Sequence, residues 1–154
     1  WQVSDEIWNR SNSLLLETMK LAAKEGIPLQ LHVEGESDDT YGELAQMADK
    51  AGLLRERLVR HYAPPKIDAA YTHGLTPSVL AGSGAIDELM STFESSSHGF
   101  MLETDYMDDP KRPGAVLGPK TVPKRTRQLL AAGLDEEILY RCHRDLPDRI
   151  YGAI

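Results

Sequence analysis

The chain has 154 residues, a length typical of one domain with a substantial core. Its net charge of −7 argues against broad non-specific nucleic-acid binding, which needs a basic surface, and no apolar run approaches the ~18 residues of a bilayer-spanning segment. The single cysteine, Cys142, excludes an internal disulfide and predicts a cytoplasmic setting.

The predicted elements alternate between helices and short strands. Helices are predicted where apolar residues recur at three- and four-residue spacing, and strands where short apolar runs lie between turn residues. Pro77 weakens the third strand, and Pro147 is expected to end the last helix or to begin a final turn. In chain order the elements are a helix over 5–25, a strand over 28–33, a helix over 40–51, strands over 58–61 and 75–80, a helix over 86–93, a strand over 99–104, helices over 121–132 and 135–146, and a turn over 148–151.

This order indicates an α/β fold in a single domain over 1–154. Alternating strands and helices predict a parallel sheet with helices packed outside, and four units make half of an eight-stranded barrel or a small open sheet. In the first strand Gln30 and His32 share one face, and in the fourth Glu103 shares a face with Asp105. Polar groups that become denser toward the strand end are typical of the inward face of a barrel strand. Arg60 fits less well, because its position falls on the outward face.

Three of the predicted strands run into a potential metal ligand, namely His32, His61 and Asp105. The carboxyl ends of parallel strands open onto one face, so these side chains are expected at one rim. Two imidazoles and a carboxylate suit a divalent cation such as Zn²⁺, Mn²⁺ or Mg²⁺ and leave a position for water. The ion would lower the pKa of that water, and Asp105 would take its proton. The alternative is that each histidine only hydrogen-bonds a loop at a strand end.

Other polar residues give weaker signals. Glu103 could orient a metal ligand from behind, or it could be a buried carboxylate paired with Gln30 or an arginine. The long loop after the fourth strand carries basic residues that either contact a phosphate or belong to a solvated loop. These candidate substrate-binding residues are Lys111, Arg112 and Lys120.

Several segments resemble the later strands of TatD-type metal-dependent hydrolases, particularly their archaeal branch. The resemblance implies an amidohydrolase-like TIM barrel with one or two metal ions. It also implies that His32 and His61 match the histidine ligands of strands five and six. Asp105 then matches the aspartate of strand eight, which serves as ligand and proton acceptor. The segments are Leu31 to Glu34, Val59 to Pro65, Met101 to Pro110, Arg112 to Arg125, and Asp148 to Gly152.

The family's His-X-His pair on strand one and its glutamate at the end of strand four have no counterpart here. The resemblance therefore predicts strands five to eight only, the C-terminal half of a TIM barrel. The expected activity of the full-length form is metal-dependent cleavage of a phosphodiester, in nucleic acid or a small molecule. One alternative is cleavage of an amide, ester or lactone, which the acidic loop over 34–39 favours because it would repel a polyanion. The other is a non-catalytic half-barrel that assembles through its exposed sheet edges.

Overall fold

The fold is a four-stranded sheet with helices against it. A computed structural model of the chain describes residues 4–33, 39–67, 72–82, 84–95, 99–107, 109–111 and 117–152. Every described strand pairing is parallel, and the strand order is β1-β2-β3-β4. The elements are α1 (Asp5–Glu25), β1 (Leu29–His32), α2 (Thr40–Ala51), a 3-10 turn (Arg55–Arg57), β2 (Leu58–Ala63), β3 (Thr76–Leu80), α3 (Ile86–Ser95), β4 (Met101–Glu103), α4 (Thr121–Ala131), α5 (Glu136–Tyr140), a π-helical turn (Arg141–Asp145) and α6 (Leu146–Tyr151).

The outward face of the sheet is the apolar face that strand parity predicts. Helices α1 and α2 cover its β1 and β2 side through a cluster that includes Met19, Ala48 and Leu58. Helices α3, α4 and α5 cover the β3 and β4 side, where the rings of Phe93 and Phe100 lie 4.2 Å apart. The prediction of a parallel α/β sheet is thus confirmed. None of the helices in the described ranges is long and apolar enough to cross a membrane.

Arg60 occupies the outward face, where its parity predicts it. Its guanidinium is buried, donates to the Tyr41 hydroxyl at 2.8 Å, and lies 4.9 Å from the centre of the Tyr41 ring. A cation over an aromatic face is attracted by the ring quadrupole, which helps to accommodate this buried charge. Tyr41 of α2 therefore compensates for the burial of the charged Arg60 side chain on the apolar outward face.

The inward face of the sheet is polar near the carboxyl ends of the strands, and α6 covers it near their starts. Leu146 and Ile150 pack against Val59 of β2 and Met101 of β4. The hydroxyl of Tyr151 donates to Gln30 of β1 at 3.0 Å. Helix α6 therefore contacts the inward face from β4 to β1 near the starts of the strands, and it leaves the opposite rim to the polar side chains.

Pro77 and Pro147 both lie within regular secondary structure. Pro77 lies inside β3 and is paired with Arg60, so the strand tolerates the loss of one backbone donor. Of the two alternatives predicted for Pro147, the structure shows the second, because Pro147 lies in the first turn of a final helical segment, α6, which follows a π-helical turn. Proline lacks the N–H of a regular α-helical bond, and a wider turn before it is one way to avoid that missing bond.

Candidate functional site

A β-bulge shapes the end of β2. Arg60 pairs with Pro77 and Ala63 with Val79, so two residues of β2 lie opposite one residue of β3. Within the bulge Tyr62 has a φ of 62°, a left-handed conformation that is costly for an aromatic residue. Bulges are common beside active sites because they redirect neighbouring side chains. The residue before Tyr62 is the candidate ligand His61.

His61 lies between two carboxylates that come from the β4 side of the sheet. Its Nδ1 is 2.7 Å from Oε1 of Glu103, and its Nε2 is 3.2 Å from Oδ1 of Asp105. The Nδ1 contact is close but lacks the alignment of a hydrogen bond. The His61 and Glu103 side chains are 16% and 13% exposed, whereas that of Asp105 is 25% exposed. The imidazole is therefore enclosed on its Nδ1 side and more open on its Nε2 side.

These contacts pass over the intervening strand β3. Strands two apart in a sheet are separated by about 10 Å, so His61 and Glu103 can meet only if the residue between them is small. That residue is Ser78, whose hydroxyl donates a hydrogen bond to Oε2 of Glu103. Oε1 of Glu103 also accepts from the backbone N–H of Tyr62 at 2.8 Å. Glu103 thus connects β2, β3 and β4 at their carboxyl ends.

His32 stands next to this cluster at the end of β1. Its ring centre is 5.3 Å from that of His61 and 5.3 Å from that of Tyr62, and the residue is exposed. The structure therefore brings His32, His61 and Asp105 to one rim, where strand direction predicts them. Within the described ranges, no three or more histidine, cysteine, aspartate or glutamate side chains form a group that could hold a metal ion. The chemistry of the nitrogen and carboxylate donors fits a divalent cation, but the cluster provides only part of a ligand shell.

The predicted basic residues lie on the segment that follows β4. Lys111 is exposed, and its backbone N–H donates to the Asp109 side chain at 2.9 Å. Lys120 is exposed at the start of α4, three residues after Leu117, whose N–H bonds to the Thr104 carbonyl at 3.2 Å. That bond brings the chain back toward the strand end that carries Asp105. Arg112 lies outside the described residues, as does most of the acidic loop over 34–39.

Two contributors to the site were not predicted from the sequence. The left-handed conformation of Tyr62 has no signal in the sequence, since aromatic residues rarely adopt it. Ser78 did have a signal, because it is a small polar residue on the inward face of the strand between His61 and Glu103. The negative charge of Glu103 also affects Tyr151 of α6. The pKa of Tyr151 is raised mainly by burial and, to a smaller extent, by this charge.

Comparison with known proteins identifies the group to which this chain is related. The family model described as TatD related DNase matches residues 1–152. The chain belongs to the TatD-related DNase family. Proteins of this family are generally hydrolytic and typically depend on divalent metal ions, so the donors at the rim are of the type that such a protein requires.

A curated relative supports the same family membership. "Uncharacterized protein MJ1127" of Methanocaldococcus jannaschii is 38% identical over 152 residues, which are 98% of this chain and 52% of the relative. The chain therefore spans about half the length of this curated relative. No solved structure matches the chain.

Proposed function

We propose that the chain contributes His61, Asp105 and His32 to the metal centre of a phosphodiesterase of the TatD type. The observation that carries this proposal is the 3.2 Å approach of Asp105 Oδ1 to His61 Nε2. A nitrogen and an oxygen donor from separated strands meet there at the open end of a parallel sheet, where active sites are built. Membership of the TatD-related DNase family supports the choice of a phosphodiester as the substrate class.

The proposal assigns a separate task to each group. When bound, a divalent cation would polarise the phosphate and lower the pKa of a bound water. Asp105 is the proton acceptor, because its carboxylate is the more exposed of the two beside His61. Lys111, Lys120 and Arg112 would bind the substrate phosphate as cations that follow the same strand end.

The architecture of the site is also a proposal. We infer that β1 to β4 are strands five to eight of a TIM barrel, so that the remaining ligands come from strands outside this chain. The 52% coverage of the curated relative supports this, as does the partial ligand set among the described residues. A cytoplasmic location remains a prediction from the cysteine content.

The test is hydrolysis by the protein that carries this chain. Bis(p-nitrophenyl) phosphate and a DNA oligonucleotide would be incubated with Zn²⁺, Mn²⁺ or Mg²⁺, with and without chelator. We expect metal-dependent cleavage of both substrates and loss of cleavage on chelation. Cleavage of p-nitrophenyl acetate or a lactone, with the phosphodiesters untouched, would instead support the amidohydrolase-type alternative.

A second candidate function is that this chain has no catalytic activity and acts only by assembling with a partner. Within the described residues, β1 and β4 are the edges of the sheet, and an open parallel edge is a template for pairing. Beside β1, a groove of about 1100 Å³ lies between α1 and α2. Its apolar lining includes Trp8, which is 58% exposed, together with Leu15 and Met47. Sedimentation of the isolated chain tests this candidate, because a well-folded monomer would argue against it.

A further inference from the structure

Glu103 has a role that the proposed metal centre does not by itself require. Its carboxylate contacts three different groups on β2 and β3, although the residue belongs to β4. We infer that Glu103 is a positioning residue that fixes the orientation and the protonated nitrogen of His61. This inference rests on the proposed function, in which His61 binds a divalent cation.

The Glu103 carboxylate cannot move freely. Oε2 accepts from the hydroxyl of Ser78, while Oε1 lies 2.8 Å from the backbone nitrogen of Tyr62 and 2.7 Å from Nδ1 of His61. The Glu103 side chain is only 13% exposed, so water can replace few of these contacts. Rotating the carboxylate away from His61 would therefore break at least one hydrogen bond in a largely buried setting, which is costly.

The β-bulge at the end of β2 is also held by Glu103. Tyr62 adopts its left-handed conformation where the register between β2 and β3 shifts. Its N–H is satisfied by Glu103, which helps to stabilise a conformation that is otherwise unfavourable. Since His61 directly precedes this turn, Glu103 acts on the histidine through the backbone as well as by direct contact.

Glu103 also influences which nitrogen of the His61 imidazole carries the proton. An ionised carboxylate only accepts hydrogen bonds, so in a neutral ring it favours the tautomer that carries the proton on Nδ1. The Asp105 carboxylate favours a proton on Nε2 in the same way, but it lies 3.2 Å away and is 25% exposed, whereas Glu103 lies 2.7 Å from Nδ1 and is 13% exposed. The closer and more buried carboxylate therefore has the stronger effect, and the lone pair is left on Nε2. Because the Nδ1 contact is close but poorly aligned, this preference is partly electrostatic. A carboxylate behind a metal-binding histidine has this effect in many metal sites.

The test compares Glu103→Gln with Ser78→Ala. The amide of E103Q has nearly the shape of the carboxylate, and its oxygen can keep the hydrogen bond from the Tyr62 N–H while its NH₂ group faces the Ser78 hydroxyl. The substitution removes the negative charge beside Nδ1, so the Asp105 carboxylate at Nε2 is left to favour a proton there. S78A is the matched control, since it removes a hydrogen bond to the same carboxylate and leaves the contact with His61. Both readouts use the protein that carries this chain: ¹⁵N NMR of His61 at fixed pH without metal, and the Zn²⁺ dissociation constant from calorimetry.

We expect E103Q to shift the neutral His61 toward the Nε2–H tautomer and to weaken Zn²⁺ binding by about 10- to 100-fold. S78A should keep the wild-type tautomer and bind Zn²⁺ within about 3-fold of wild type, because a neutral hydroxyl partner contributes modestly. A wild-type tautomer and affinity in E103Q would overturn the inference. An Nε2–H tautomer in the wild type would also overturn it, even if E103Q did not fold. If the wild type bound no Zn²⁺, the proposed function would fail, and the NMR result would still decide the role of Glu103.

Discussion

Replacing Asp105 with asparagine separates the charge of this residue from its backbone role. Asp105 has a φ of 51°, and aspartate and asparagine both tolerate this left-handed region better than most residues do. D105N should therefore keep the local conformation. The Asp105 side chain, which contacts His61, is 25% exposed, so we expect the free energy of unfolding to fall by no more than about 1 kcal/mol.

The effect on function should be much larger than the effect on stability. The amide of D105N is a weaker ligand than a carboxylate, so we expect at least about 10-fold weaker Zn²⁺ binding. It also cannot accept the proton of the attacking water, and loss of a general base typically lowers the rate by about 10²- to 10⁴-fold. Calorimetry with Zn²⁺ and hydrolysis of bis(p-nitrophenyl) phosphate measure the two effects separately.

Two further substitutions at the same position test the backbone argument. Asp105→Ala removes the carboxylate and forces alanine into the left-handed region, at a cost of about 1–2 kcal/mol, whereas Asp105→Gly removes the carboxylate without that cost. Urea denaturation should therefore rank D105A as less stable than D105N. Equal stabilities of D105A and D105N would refute the backbone argument, and full hydrolytic activity of D105N would refute the role of Asp105 as proton acceptor.

Three further predictions concern the core and two titrating side chains. Leu129→Ala should cost about 2–5 kcal/mol of stability in urea denaturation, since Leu129 is fully buried, whereas Leu130→Ala on the same helix should cost less than about 1 kcal/mol because Leu130 is 41% exposed. Similar losses would show that α4 packs differently. Burial raises the pKa of the Cys142 thiol to about 12, so the native protein at about pH 8 should react with Ellman's reagent only after unfolding. Rapid reaction of native protein would contradict that burial. Burial also raises the pKa of Tyr41 above 10.0, so the folded state retains the phenol proton more strongly than the unfolded state. The contribution of Tyr41 to stability is complete below about pH 10 and is lost as the pH rises further, so Tyr41→Phe should make the urea midpoint less sensitive to pH above about 10. Parallel midpoint curves for the two proteins would contradict this.

Much of the fold follows from local sequence patterns. Apolar spacing predicts the helices and strands close to their observed bounds, because each element buries one face against the sheet. The direction of the strands likewise predicts that His32, His61 and Asp105 lie at one rim. The β-bulge at Tyr62 could not be predicted, since it depends on the register between β2 and β3 and on the carboxylate of Glu103. Long-range contacts of this kind leave no local periodicity.

Pro77 and Pro147 show how far rules for a single residue can predict local structure. Sequence rules assign proline a local cost, but that cost can be offset by the structure around it. Pro77 lies in β3 between two paired strands, and Pro147 lies in the first turn of α6 after a π-helical turn. At Pro77 the surrounding contacts outweigh the local cost, whereas at Pro147 there is little cost, because proline is tolerated in the first turn of a helix.

The most direct test of the proposed metal centre is calorimetric titration with Zn²⁺ of the protein that carries this chain, with its His61→Ala variant as comparison. The proposal predicts saturable binding by the wild type and at least about 10-fold weaker binding by the variant, since His61 supplies the nitrogen that faces Asp105. Equal affinity in the two proteins, or no saturable binding by the wild type, would contradict the assignment of this rim as a metal centre.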